Sequence, residues 1–445
     1  MNTNRARVAL AAVVLVSAFA TSGADREIRE VRTSDELFVA LGEANTERTI
    51  RLQRGLYAVD RPLTVPDGVA LVGEGVMRFD AAGLPLGFEP GTETNIEVTS
   101  GFTGDLLTLR NGASIHNLKL QELADDPGSV TRRLGNVVVV TSRAPGDGVA
   151  AAIVECEITS PNPSEGDANG PTGRALAVFT RNDAGSLPPP PHEGATLSVH
   201  MERSVVHATA ESGTVFAINF AARGNTEVTL SHNRLAGTFI ATGGANRPDP
   251  VSGARTVINS DHNLFISPSD ARGARGWMLF GGSSQTHMAS PEVVGLSFNT
   301  LRMRSNFDRI EGFTVGVFAA AGRRLLAGSG PVSDNLLELD LTGLQIRSEG
   351  AGAADVVLYA ALSEQDAVAG REFPAGDRNV LRMKIAGATG SGERANVYAA
   401  DFGPVLPANL GTGNRIEIVG DPAEFARSNA GFEPLPPLEY FVGKP

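Results

Sequence analysis

Asp261, His262 and His232, together with Arg302 and Arg304, are the residues of this 445-residue chain whose types could combine to do chemistry. A histidine or carboxylate can take a proton, and a neighbouring guanidinium can neutralise the charge that develops on a carboxylate-bearing substrate. Such a set would abstract a proton α to a carboxyl group and drive a β-elimination, with Asp261 or His262 as base and Arg302 or Arg304 as neutraliser. Arg347 would join the same wall. A solvated mixed-charge face with two stacked histidines would present the same residues. As metal ligands, His232, His262 and Asp261 form a weaker set, because neighbours on a strand point to opposite faces unless a bend intervenes.

What would bring these residues together is a weak internal repeat. The segment Val228-Thr-Leu-Ser-His-Asn-Arg-Leu235 recurs as Val257-Ile-Asn-Ser-Asp-His-Asn-Leu-Phe265 and as Val294-Gly-Leu-Ser-Phe-Asn-Thr-Leu301. That alignment places Asn233, Asn263 and Asn299 in one register, with weaker copies at Asn117, Cys156, Ser204, Thr342 and Ala386. The steps range from 29 to 48 residues. Constant local pattern with variable spacing fits stacked coils that share a strand and differ in loop length, whereas propellers and leucine-rich repeats keep tighter periods. Equivalent residues of successive coils would lie one strand spacing apart, roughly 4.8 Å. Asn233, Asn263 and Asn299 would then form an amide ladder at a bend, His232 would neighbour His262, and Asp261 would line up with Glu202, Ser231, Ser297, Asp340 and Lys384. A second, more continuously apolar strand recurs over 136–140, 175–179, 215–220, 313–319, 356–361 and 397–400. Regions 121–134, 161–173, 181–195, 243–254 and 267–276, rich in Pro, Gly, Asp and Ser, read as loops.

Composition narrows the functional class. Cys156 is the only cysteine, so no intrachain disulfide forms and Cys-based zinc sites are excluded. A net charge of -12 disfavours nucleic-acid or anionic-membrane partners. Aromatic residues are only 6% of the chain, which argues against broad sugar-stacking platforms. Asp167-Ala-Asn-Gly170 opens like a calcium loop, but its twelfth position is Val178 rather than Glu, so calcium lacks a convincing ligand motif and no cofactor is expected.

Residues 1–24 read as a signal peptide: Arg5 and Arg7 precede the apolar run Val8 to Ala20, and cleavage would follow Ala20 or Ala24. The run is too short to span a bilayer comfortably, so no membrane span is expected after signal removal, and the protein would be secreted or periplasmic. Residues 25–48 form an N-terminal cap around a short helix, in which Thr33-Ser-Asp-Glu36 is a capping box and Leu37, Phe38, Leu41 and Ala44 make one apolar face. Four close strands follow, over 49–52, 55–59, 62–65 and 69–72, and the repeat continues to about residue 420, leaving 421–445 as a tail or cap.

Gly55-Leu-Tyr, Pro62-Leu-Thr-Val-Pro-Asp-Gly-Val-Ala-Leu-Val-Gly-Glu-Gly75 and Gly112-Ala-Ser-Ile-His-Asn-Leu-Lys-Leu120 resemble the opening coils of the pectin-lyase-like right-handed parallel β-helix superfamily. The resemblance is specific for about residues 34 to 120 and extends by repetition to about 420. It implies an all-β, right-handed, single-stranded parallel β-helix of roughly ten coils with a short N-terminal capping helix, and a polysaccharide partner outside the cytoplasm. No particular reaction is implied, because the superfamily spans lyases, hydrolases, epimerases and non-catalytic surface proteins. This chain departs from its better-known enzymes: Asp125-Asp126 precedes Pro127 in a loop rather than a strand, and no Arg-x-Pro-x-x-Arg occurs. The expectation is an exported β-helix that binds or cleaves a polysaccharide on the lateral face of residues 200 to 350, as a lyase or glycoside hydrolase if an enzyme, or else a non-catalytic surface scaffold.

Overall fold

The computed structural model describes residues 27–44, 48–99, 102–122, 133–134, 136–142, 144, 146–159, 174–179, 194–207, 214–218, 225–246, 253–268, 275–284, 296–324, 332–350, 353–363, 376–390, 394–401 and 412–420. The signal peptide expected at 1–24, the tail at 421–445 and the calcium-like turn at 167–170 lie outside them. The strands assort into three long sheets, here A with twelve strands, B with ten and C with ten. Every pairing within these three sheets is parallel, as along Asn225–Ser231, Arg255–Asp261, Thr300–Asn306, Leu336–Thr342 and Val380–Ala386 of sheet A. The chain visits A, then B, then C, and returns to A one strand further along. The first full coil is Arg48–Leu52, Gly55–Val59 and Leu63–Val65; the tenth is Val380–Ala386, Thr389–Gly390 and Arg394–Asp401. The fold is an all-β parallel β-helix.

Why these residues wind this way is visible in burial. Sheet A strands from Thr196–Glu202 to Val380–Ala386 alternate strictly: in Arg255–Asp261 the side chains of Thr256, Ile258 and Ser260 are buried while those of Arg255, Val257, Asn259 and Asp261 face outward. One core runs from Val31 to Ile416 through every coil. Sheet C reads as continuously apolar because both of its faces are covered: Val317 and Ala319 join the core, whereas Phe318 and Ala320 belong to a second apolar layer with Phe280, Val357 and Tyr359. The helix α1 (Ser34–Glu43) starts as expected, with Thr33 Oγ1 accepting from Glu36 N at 3.2 Å, and it buries Leu37, Ala40 and Leu41 on the first coil. Inside that end, the Tyr57 hydroxyl donates to Val31 O at 2.7 Å, and burial pushes its pKa up to about 12.

Several readings of the sequence are corrected. Each coil carries three strands rather than two, because the three-residue strands of sheet B, such as Arg234–Ala236 and Leu264–Ile266, lie just beyond the bend of the repeated segment. Strand Glu27–Val31 extends sheet A ahead of the helix. Strands Thr238–Asn246 and Arg275–Ser284 occupy parts of 243–254 and 267–276 that read as loop. The proposed single ladder also divides between two corners. At the corner from A to B the buried positions are Leu118, Cys156, Ser204, Asn233, Asn263, Asp308, Leu344 and Ala388. Asn117 is therefore one position early, while Thr342 and Ala386 end their sheet A strands. Asn299 sits instead at the corner entering sheet A, where Asn299, Asn335, Asn379 and Asn414 form a second amide ladder with side-chain bonds of 3.0 to 3.1 Å.

The only tryptophan offers a direct check on the packing. Trp277 is fully buried, with its ring edge-on to Phe265 at 5.2 Å and its indole N–H without a hydrogen-bond partner among the described residues. Native fluorescence is expected at short wavelength, resistant to acrylamide, and shifting red only in the global unfolding transition. Native emission at the wavelength of exposed indole would contradict the placement.

Candidate functional site

The corner between sheets A and B builds the first half of the site. From the third coil on, the chain turns there through one residue with left-handed backbone followed by a buried one: His232 has φ 55°, His262 φ 53° and Phe307 φ 53°. Residues other than glycine take this conformation at a cost. The ladder beneath holds the bend. Asn263 Oδ1 accepts from Asn233 N at 2.8 Å and from its Nδ2 at 2.9 Å, and Asp308 Oδ1 accepts from Asn263 N at 2.8 Å. Ser305 Oγ donates to Asp308 Oδ2 at 2.6 Å. Burial pushes the Asp308 carboxyl up to about 6 against the pull of these donors.

Above the ladder, the rings form a column. His232 and His262 stack with centroids 5.2 Å apart and planes 5° from parallel, and Phe307 follows at 5.2 Å and 34°. Gly343 closes the column, since a Cβ there would come within 2.7 Å of Phe307 Cε1. The register given to Asn299 would set Phe298 beside His262; Phe298 instead precedes sheet A at the other corner, and Phe307 follows His262. Because the bend intervenes, Asp261 and His262 both face outside, with His262 Nδ1 3.1 Å from Asp261 Oδ1 and side chains about half exposed, at 50% and 43% for His262 and Asp261. A proton on Nδ1 donated to Asp261 leaves Nε2 with a lone pair facing solvent, which is the arrangement of a base oriented by a carboxylate. The Nδ1 of His232 is 2.9 Å from Ser231 Oγ. The histidines stack rather than converge, and no group of three or more His, Cys, Asp or Glu suited to a metal occurs among the described residues.

The outward face of sheet A builds the second half. Parallel register sets Arg302 opposite Val257, Arg304 opposite Asn259 and Asn306 opposite Asp261, so Arg304 is the diagonal neighbour of Asp261. Asp340 and Lys384 share the column of Arg304 rather than that of Asp261. Arg302 pairs with Glu338, which also meets Arg382, and Arg382 pairs with Glu417 at 2.6 Å. The Arg382 guanidinium holds the Glu417 carboxyl below its ordinary range. Arg304 makes no ion pair among the described residues, nor does Arg255. Arg347 does not join this wall: it ends the sheet B strand Gln345–Arg347 and pairs with Glu349 at 3.4 Å.

Two open grooves run along this face and meet at Arg302 and Arg304. One, of about 610 Å³, extends from Gly148 past Glu227 and Arg255; the other, of about 300 Å³, follows the Glu338, Arg382 and Glu417 ladder. Sequence reasoning missed Glu227 and Arg255. Carrying the register of the two true repeats six positions back from Asn233 and eight back from Asn263 would have placed both on the outward face.

No family model matches the chain, and no curated protein matches it. Among solved structures, the catalytic unit of the thermostable GH87 α-1,3-glucanase from Streptomyces thermodiastaticus strain HF3-3 is similar at 13% identity and a TM-score of 0.31, over 90% of this chain and 68% of that one. Function is therefore read from this chain's own residues. No helix among the described residues is long and apolar enough to cross a membrane.

Proposed function

We propose that this protein is exported to the periplasm or beyond, where it engages a polysaccharide along the outward face of sheet A and cleaves it by β-elimination. The observation that carries the reading is the Asp261–His262 pair, 3.1 Å apart, with Asp261 on the same outward face as Arg304, which lines an open groove. The resemblance of the opening coils to the pectin-lyase-like group supports a glycan as the partner. Arg304, with Arg302, would hold the carboxylate of a uronate unit. His262 Nε2 would take the proton from the carbon α to that carboxylate, and the electron pair left behind would form the carbon–carbon double bond. The glycosidic bond on the adjacent carbon breaks, and its oxygen takes a proton from water. Asp261 orients the imidazole and stabilises the imidazolium, and the arginines stabilise the charge developing on the carboxylate.

The test follows the ultraviolet absorbance of the unsaturated product on a panel of acidic polysaccharides. His262→Ala is expected to lower the rate by about 100-fold or more, and Asp261→Asn by about tenfold or more. Wild-type turnover in both variants would sink the assignment. A second reading, a non-catalytic surface scaffold, is favoured by the half-exposed pair and by the Arg302, Glu338, Arg382 and Glu417 ladder, which neutralises its own charges. Glycan retention without products in the wild type would select it.

A further inference from the structure

The larger groove crosses five consecutive strands of sheet A, beginning with Gly148–Val154 and ending with Thr300–Asn306, so it is about 19 Å long. Its charge is unevenly placed. The first two strands floor it with small uncharged residues, Gly148, Ala150 and Ser198. The middle strand contributes one carboxylate, the exposed Glu227, whose contact with Asn259 Nδ2 is long at 3.4 Å. Cations gather only at the far end, where Arg255 and Arg304 make no ion pair among the described residues and Arg302 is shared with Glu338. In a protein of net charge -12, an arginine end of this kind focuses anions at one point of the groove.

We propose that this groove selects an acidic heteropolysaccharide, in which uronate units are separated by neutral sugars, over a homopolyuronate. The inference rests on the reading of the groove as a glycan site. A homopolyuronate carries a carboxylate on every ring, so a stretch filling the groove would set one against Glu227 and others over a floor that offers no cation. Like charges brought together at a partly desolvated surface repel, and unpaired carboxylates lose hydration without return. With alternating units, one carboxylate meets Arg255 or Arg304 in a planar, two-pronged contact, while neutral rings lie over Ser198 and place hydroxyl donors against Glu227.

The experiment measures affinity of the mature protein for hyaluronan, which alternates glucuronate with N-acetylglucosamine, for polygalacturonate and for uncharged dextran. Hyaluronan is expected to bind about tenfold or more tightly than polygalacturonate, with dextran weaker than both. Glu227→Gln is expected to raise affinity for polygalacturonate several-fold while leaving hyaluronan within about twofold, an effect that loss of fold would not produce. Polygalacturonate binding as tightly as hyaluronan, or no change in Glu227→Gln, would overturn the selectivity and leave the groove as a glycan site. Retention of no probe, or unchanged binding in Arg255→Ala and Arg304→Ala, would instead overturn the groove reading itself.

Discussion

Asn263→Ala is expected to lower the unfolding free energy by about 4 kcal/mol, near the top of the range for single substitutions. The amide is buried with 1% exposure and does several things at once. Its oxygen accepts from Asn233 N and Nδ2, and its nitrogen donates to Leu230 O at 3.1 Å, Ser260 Oγ at 3.0 Å and Asp308 Oδ1 at 3.1 Å. Alanine would leave the Asn233 N–H without its acceptor in the interior, would reduce Asn233 Nδ2 to its bond with Met201 O, and would take a donor from a buried carboxylate. The penalty is that of unsatisfied polar groups, larger than the worth of any one bond. Asn259→Ala, one outward position earlier in the chain than Asp261, is the control and is expected to stay within about 0.5 kcal/mol of wild type. Denaturant unfolding followed by Trp277 emission reads both; equal stability of the two variants would mean the ladder is not what holds the bend.

Asp308→Asn is expected to do the opposite and stabilise the protein at neutral pH. Asp308 continues the amide ladder with a carboxyl whose pKa burial raises from 3.8 to about 6 in the folded state. A folded pKa above the unfolded one means that the folded protein binds the proton more tightly. The stability this group contributes is therefore fully present below about pH 3.8 and is lost as pH rises through about 6. Two pKa units correspond to about 3 kcal/mol, so the advantage of the asparagine variant should grow between pH 4.5 and 7.5 towards that size. Asparagine retains an oxygen for Asn263, and its nitrogen meets the Ser305 hydroxyl turned to accept. An asparagine variant less stable than wild type at pH 7.5, or one whose advantage does not change with pH, would contradict the assignment. The two substitutions share a hydrogen bond, so their effects are not expected to add.

Much of this architecture was legible in local chemistry. The capping box announced α1, and the four opening strands were readable because each is a short apolar-rich run bounded by turn residues. His232 against His262 followed from one register step, since Asn233 and Asn263 do occupy the same corner. From Glu157–Thr159 onward sheet B was hidden because strands of three residues or fewer are too short to show a period of two. Asn299 misled for a physical reason: both corners can turn through a left-handed residue followed by a buried asparagine, so Leu-Ser-Phe-Asn299 and Leu-Ser-His-Asn233 look alike while lying on different edges of the coil. Arg302 and Arg304 still reached the expected face, because their own strand pairs directly with Arg255–Asp261. Glu227 and Arg255 carry no motif. Only the lateral register gives them a common groove.

Whether an acidic glycan is held on the outward face of sheet A is read by affinity electrophoresis of the mature protein through gels containing hyaluronan, with the Arg255→Glu, Arg304→Glu double variant run beside the wild type and circular dichroism confirming its fold. Neither arginine makes an ion pair among the described residues, so reversal is expected to spare the fold. The wild type is expected to be retarded in a way that weakens with salt, and the variant to migrate freely. Equal retardation of the two proteins would contradict it.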